Sequence, residues 1–357
     1  MQTPIKICEL HMTNKKRKYK QMKSPITGKE MTLQLEKSIL VFRKEQFEYI
    51  HKSYYCSDSG ESFTTTELDE FNLNQVYNKY RDKHNIPFAD EIKEFREKYS
   101  FSYADITKIL GLGANSYGNY EKGEVPSLSN AALLKTVLNS LGTLKGLIKS
   151  NNDISETQRD KFLRNIAQVK KEEVKNERKQ GLIDYVFDYN FLPDNYSGYK
   201  KPNFNKLVEM VVYFTEKLKT TPTKMNKLLF YSDFLHYKLT GVSMSGTRYF
   251  AHTHGPVPKK FRTLFDYVSD QQIVDLVSVQ YPSGLVGEQF MKSPSKTFNS
   301  DLFEETELKI LDTIVSKFQK YNAKEMRELS HEEKAWIDNE KNKGLIDYSY
   351  SFELIHV

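Results

Sequence analysis

Hydrophobic spacing divides this chain into a short β-rich start and a long, mostly helical remainder. Residues 31–42 (MTLQLEKSILVF) and 51–63 (HKSYYCSDSGESF) are strand-like. Leu33, Ile39, Val41, Phe42 and Tyr55 are the expected core of this first region. TTELDEFNLNQVYNKYRDKHN then predicts a helix that stops before Pro87, capped by Thr66 with Asp69 three residues on.

From residue 89 the apolar period lengthens to that of short helices. Asp90 to Lys98 is the first. Ser102 and Asp105 cap a second, in which Ile106, Ile109 and Leu110 share one face, and Gly111 stops it. GANSYGNYEKG (113–123) is a third, sealed by Pro126. Residues 127–150 supply one or two more, with Leu133, Leu134, Val137, Leu138 and Leu141 at core spacing.

Residues 151–200 are read as a charged helical connector with a thin apolar stripe (Phe162, Ile166, Val169), broken at Gly198 and Pro202. Past residue 201 the pattern gives an amphipathic helix (NKLVEMVVYFTEKL), then one capped by Thr221 or Thr223 and ended by Gly241. SGTRYFAHTHGPVP is extended, because Pro256 and Pro258 forbid a helix. KKFRTLFDYV is helical, 273–297 is hairpin-like, and Leu308, Leu311, Val315 and Phe318 stripe a further helix. Ser330 and Glu333 form a capping box before KAW. The fold class expected is α+β, mainly α. The expected domains are 1–88, 89–150, the connector 151–200, and 201–357.

Composition narrows the class. In 357 residues, 38% are hydrophobic and 28% charged, which suits a globular protein with room for several domains. No apolar run reaches the length of a membrane span, and the first residues lack an export signal, so no membrane partner and a cytoplasmic location are expected. Two cysteines, Cys8 and Cys56, make no disulfide framework. A net charge of +6 permits nucleic-acid binding without demanding it. The basic run Lys15 to Lys23 is either a phosphate-binding arm or a solvated loop.

The order at 102–123 is a short apolar helix, a glycine turn and a helix with a polar outer face. This is what a major-groove reader requires, although a plain helical bundle would carry the same pattern. Tyr117 and Tyr120 can anchor the third helix. Asn115, Ser116 and Asn119 would then face outward toward bases, with Lys122 and Tyr103 as further DNA contacts. EFREKYSFSYADITKILGLGANSYGNYEKGEVPSLS resembles the Xre/Cro class of helix-turn-helix, and more narrowly the DNA-binding domain of MqsA-type antitoxins. Gly113, Asn115, Tyr117, Tyr120, Glu121, Lys122 and Gly123 match that family's segment. The family commonly has Arg where this chain has Asn119, which implies a different or weaker operator.

The same family usually opens with a zinc fold. Laid over its pattern, the ligand positions here are Ser24, Thr27, Cys56 and Ser59, and neutral hydroxyls are poor zinc ligands. The expectation is a degenerate, metal-free zinc-ribbon-like domain with no cofactor. The competing arrangement would use His11, His51 and the two cysteines.

Residues 205–357 resemble the Panacea, or SocA-like, domain of antitoxins, notably through Tyr249 and His254-Gly-Pro-Val-Pro258. That resemblance implies a mostly α domain that neutralises toxins by direct binding. His252 with His254, and Asp233 with His236, are the residues an enzyme would need. No nucleophile elbow or phosphate loop accompanies them, so no catalysis is expected. Lys227, Tyr231, Asp233, His236 and Tyr249 read as a polar cluster. Tyr231, Tyr237, Arg248, Tyr249 and Phe250 are the candidate partner contacts, with ordinary core as the alternative for each.

Together the two resemblances imply the antitoxin of a type II toxin–antitoxin module. Its partners would be a cognate toxin and operator DNA, and it would be a homodimer through 127–150. The alternatives are a transcription regulator with a sensing domain and a proteolysis adaptor.

Overall fold

The computed structural model describes residues 22–175, 181, 183–185, 192–280, 284 and 286–357. Cys8, His11 and Lys15 to Lys20 lie outside them. The fold is mainly α with small antiparallel sheets. It divides into two units, 1–86 with 123–125, and 87–122 with 126–357.

The first unit is a hairpin of β1 (Thr32–Phe42) and β2 (Glu45–Tyr55), a short β3 (Ser62–Phe63) and α1 (Thr66–His84). The second strand begins at Glu45, before the predicted 51. Its turn is Arg43 and Lys44, both at positive φ (49 and 70). A two-residue hairpin turn needs that geometry, and Asn-Gly rather than Arg-Lys is its usual signature. The cap of α1 is Thr65, accepting from Leu68 N, and not Thr66.

The predicted core of this unit needs correction. Ile39 and Val41 are 59% and 62% exposed. Met31, Tyr54, Cys56 and Leu68 are buried together, with Leu33 and Phe63 against them. Leu33 pairs with Tyr54 and Leu40 with Phe47, so the two ends of one twisted hairpin bury opposite faces. Simple alternation along β1 therefore mispredicts its far half.

Helix α1 also seals the free edge of β2. Asn72 bonds both backbone groups of Lys52 (2.9 and 3.0 Å), and Gln75 those of Ile50 (3.1 and 2.8 Å). Side-chain amides at i and i+3 thus stand in for a missing strand, which satisfies an edge that would otherwise template aggregation. Gly123–Val125 join this unit, with Arg81 donating to the Gly123 carbonyl (2.6 Å) and Arg43 to that of Val125 (2.7 Å).

The second unit opens with α2 (Ala89–Lys98), α3 (Tyr103–Leu110), α4 (Ser116–Glu121), α5 (Leu128–Asn139), α6 (Leu141–Ser150) and α7 (Glu156–Lys175). One core holds Ile92, Phe95, Ile106, Ile109, Tyr117, Leu134, Leu144, Ile148, Phe162 and Ile166. The described start of the expected connector therefore packs rather than links. Phe162 of α7 meets Phe101 edge-on at 5.4 Å. A thin apolar stripe is sufficient when it faces a groove of the bundle.

The chain continues through α8 (Phe204–Lys217), α9 (Pro222–Thr240), the hairpin β4 (Tyr249–His252)–β5 (Gly255–Pro258), α10 (Phe261–Asp270), the hairpin β6 (Val274–Gln280)–β7 (Val286–Lys292), α11 (Glu305–Phe318), α12 (Ala323–Glu332) and α13 (Lys334–Ile337). Helix α9 is the axle: every residue from Lys224 to Tyr237 is buried. Lys206 on α8 and Glu307 on α11 make a buried two-pronged ion pair (2.7 and 2.8 Å).

Two predictions shift here. The inward stripe of α11 is Glu307, Ile310, Leu311, Ile314 and Phe318, so Leu308 and Val315 only flank it. Ser330 lies inside α12 and donates to the Arg327 carbonyl. The capping box is Asn322 with Glu325 at the start of that helix. Among the described residues, no helix is long and apolar enough to cross a membrane.

Candidate functional site

Helix α3 begins where Ser102 and Asp105 cap each other reciprocally, and it ends at Gly111 with φ 62. A tight turn follows and Asn115, at φ 66, starts α4. Asn tolerates that left-handed position better than most residues, and its side chain does not cap the helix. Tyr117, fully buried, donates to the Ile92 carbonyl at 2.8 Å, and Tyr120 accepts from Asn130 at 2.9 Å. These two anchors leave Asn115, Asn119 and Lys122 exposed and Ser116 half-buried.

Glu121 adds a third anchor that the sequence does not reveal. Arg96 on α2 grips both its oxygens, at 2.6 and 3.0 Å. Tyr103 donates to the same carboxylate at 3.0 Å and lies under the Arg96 guanidinium at 4.3 Å. The hydroxyl of Tyr103 is thus engaged with Glu121, which pushes its pKa up. Its ring remains 49% exposed. The 25-position separation of Arg96 and Glu121 hides the pair from any local reading.

In the first unit two turns bring Ser24, Thr27, Cys56 and Ser59 together. The Ser24 hydroxyl accepts from the amides of Ile26 and Thr27 (3.2 Å each), and Thr27 Oγ1 lies 3.4 Å from Cys56 Sγ. Hydroxyl hydrogen bonds from Ser24, Ser59 and Thr27 lower the Cys56 thiol to about 6. The donors fit a thiolate and not a zinc ion, which needs four soft or imidazole ligands. His51 is occupied elsewhere, with Tyr49 at 3.0 Å and Asn72 at 3.2 Å. Placing cysteine at Ser24, Thr27 and Ser59 together should produce a chain that retains one zinc through dialysis. Elemental analysis reads this directly, and a triple variant without zinc would mean the four positions do not converge.

In the C-terminal region the predicted partner contacts mostly turn inward. Tyr231 and Tyr249 are fully buried and Tyr237 is 4% exposed. Tyr231 bonds Glu333 at 3.2 Å and stacks on Phe318 at 4.7 Å. Tyr249 donates to Asp233 at 2.7 Å. These three are corrected from partner-facing to core, because α12 and the C-terminal turn Tyr348–Glu353 close over α9. Arg248 and Phe250 are half-buried, and Arg248 is paired with Asp194 at 2.5 Å.

Asp233 organises the loop after α9. One oxygen accepts from Met244 N and Ser245 N (2.9 and 2.7 Å), the other from Ser245 Oγ and Tyr249 Oη (2.6 and 2.7 Å). Burial raises its pKa against those four donors. His236 lies one turn on but meets a different partner, the Val242 carbonyl, at 2.8 Å, and burial drops its pKa to about 4. Asp233 and His236 therefore form no joint site. Among the described residues no group of three His, Cys, Asp or Glu could hold a metal.

Lys227 is different in kind. It is 1% exposed, its Nζ donates to the Pro256 carbonyl at 2.9 Å, and burial drives its pKa down to about 7. Above it the β4–β5 turn carries His252 and His254, with ring centres 6.0 Å apart and both exposed. Gly255, at φ 92, is required there, since a Cβ would sit 2.3 Å from Ser330 Oγ and 2.7 Å from Lys227 Cε.

No curated protein and no solved structure matches this chain. One family model does, over a span that starts in α9, takes in Lys227, Asp233 and the β4–β5 turn, and ends with α13. Residues 225–337 match the family described as antitoxin SocA-like, Panacea domain.

Proposed function

We propose that this chain is the antitoxin of a type II toxin–antitoxin module, with residues 201–357 binding the toxin and α3–α4 reading the module's own operator. The match of 225–337 to an antitoxin family carries this reading. The DNA-reading half rests on the exposed row Asn115, Asn119 and Lys122, on a helix anchored from behind by Tyr117, Tyr120 and Glu121. A palindromic operator would call for two copies of the chain, joined through α5 and α6. Neutralisation by occlusion needs no catalytic group, and buried Tyr231 and Asp233 of α9 are bonded within the fold.

The test is expression of the protein encoded beside this gene, with the full chain and with the chain lacking 201–357. Growth rescued by the full chain alone, with a co-purifying complex, supports the reading; equal growth arrest in both cases and no complex sinks it. For DNA, Asn115→Ala should weaken operator binding by roughly 1–3 kcal/mol, the worth of one good base contact. Because Asn115 stands at φ 66, alanine there should also cost roughly 1 kcal/mol of stability, so affinities are compared at a temperature where melting shows every variant folded. Binding curves that superimpose for wild type, Asn115→Ala and Asn119→Ala would exclude α4 as the reader.

A further inference from the structure

The β4–β5 turn collects more basic groups than acids: Glu288 lies 3.6 Å from Arg262 in an exposed pair, and Glu340 faces His331. His252 is held below its ordinary pKa by partial burial and by His254, Lys227, Lys343 and Arg262. His331 is lowered by burial and by Lys227, Arg327 and His254, with Glu340 as the one carboxylate that opposes. Lys227 Nζ bonds the Pro256 carbonyl at 2.9 Å. His331 Nε2 and Arg327 Nε are shielded from solvent with no hydrogen-bond partner. The same positive surroundings that hold His252 and His331 below their ordinary values would be relieved by an anion, which gives the arrangement a preference for negative charge.

The surroundings say which anion fits. His331 stacks flat on Trp336 at 3.8 Å and 6°, and the Trp336 indole N–H donates to the His252 carbonyl at 2.8 Å. Phe261 lies 6.3 Å from His252, and Ile337 is 51% exposed nearby on α13. An apolar and aromatic rim around a cationic centre matches a protein segment better than a bare phosphate. Nucleic acid fits less well, because one face of the Trp336 ring is already covered by His331 and cannot stack a base.

We propose that the β4–β5 turn, flanked by the His331–Trp336 stack and Arg262, is a docking site for an acidic side chain of a partner protein. The carboxylate sits against His252, His254 and Arg262, and Lys227 below supplies positive potential through the glycine turn. The proposal deepens the antitoxin reading and rests on it for the partner's identity, but its chemistry can be tested without the partner.

The probe is an acetylated Glu-Glu-Ile-Glu peptide titrated onto the full chain, followed by the histidine ring proton resonances. The variants are His252→Ala with His254→Ala, and Lys227→Met; Lys309→Ala, an exposed lysine on α11, is the control. Inorganic phosphate and a ten-nucleotide oligothymidine are the competing arms. Saturable peptide binding that weakens at least tenfold in both test variants, and not in the control, supports the site. Absent binding, binding equal in all variants, or tighter binding of phosphate or oligothymidine overturns it. Thermal melting of each variant separates lost binding from lost fold, and His252 and His254 are exposed enough to change without unfolding the chain. If the neighbouring protein does not co-purify with the wild-type chain, the antitoxin reading fails while the peptide result still decides this site.

Discussion

Asp233→Ala should destabilise the C-terminal region by about 4 kcal/mol, since each buried donor left without an acceptor costs roughly 1–3 kcal/mol. Three donors lose their acceptor, the amides of Met244 and Ser245 and the hydroxyl of Tyr249, and the Ser245 hydroxyl is left with Thr247 Oγ1 at 2.7 Å. All four lie in fully buried surroundings, and the loop they hold returns the chain from α9 to β4. The sum stays below three full penalties because the vacated space can admit water and the two hydroxyls can turn. Ser245→Ala and Tyr249→Phe each remove one donor, so each should cost about 1 kcal/mol. Urea midpoints measure the totals, and hydrogen exchange at the Met244 and Ser245 amides localises them. A loss under about 1 kcal/mol for Asp233→Ala would mean that the loop is held by packing alone.

Lys227→Met should change the pH dependence of stability rather than simply lower it. Burial takes the lysine from 10.5 in the unfolded chain to about 7 in the folded one. Between those values the unfolded chain holds a proton that the folded chain has released, so stability rises with pH across that window. Below about pH 7 both states are charged, and the full penalty of the buried cation persists. Each pH unit in the window is worth at most about 1.4 kcal/mol, so wild type should gain about 2 kcal/mol between pH 7 and 9 through this group. Methionine has no such term and fills the same space. The variant should therefore be the more stable protein at pH 6 and 7, despite losing the bond to the Pro256 carbonyl, with the difference closing toward pH 9. Parallel urea-midpoint profiles for the two proteins would refute this. A lysine that costs stability where it stands is consistent with its use by a bound carboxylate.

Legibility in the sequence followed the range of the interaction. The caps at Ser102 with Asp105, the stop at Gly111 and the stop at Gly241 are contacts within four residues, and all three were readable. So was the order Ser24, Thr27, Cys56, Ser59, whose members meet although Thr27 and Cys56 are 29 positions apart. Failures came where a local rule had two outcomes. Strict alternation placed Ile39 and Val41 inside, but a twisted hairpin changes the face it buries along its length. Ser330 and Glu333 have the spacing of a capping box, yet that helix continues to Glu332, so Ser330 falls within it.

The sequence by itself determined the helix boundaries at Ser102, Gly111 and Gly241 and the outward polar face of α4, because backbone hydrogen bonding and side-chain period act over a few residues. Only the tertiary structure decided what α9 is. Its lysine, tyrosine, aspartate and histidine read as a polar cluster, structural or partner-facing, and α8, α11, α12 and the β4–β5 hairpin pack around it. That enclosure turned Tyr231 and Tyr249 into core and gave Asp233 its four donors. It also left Lys227 beneath a turn of histidines with one carbonyl for company. Burial depends on how many layers of distant chain close over a residue, and no window of sequence contains that count.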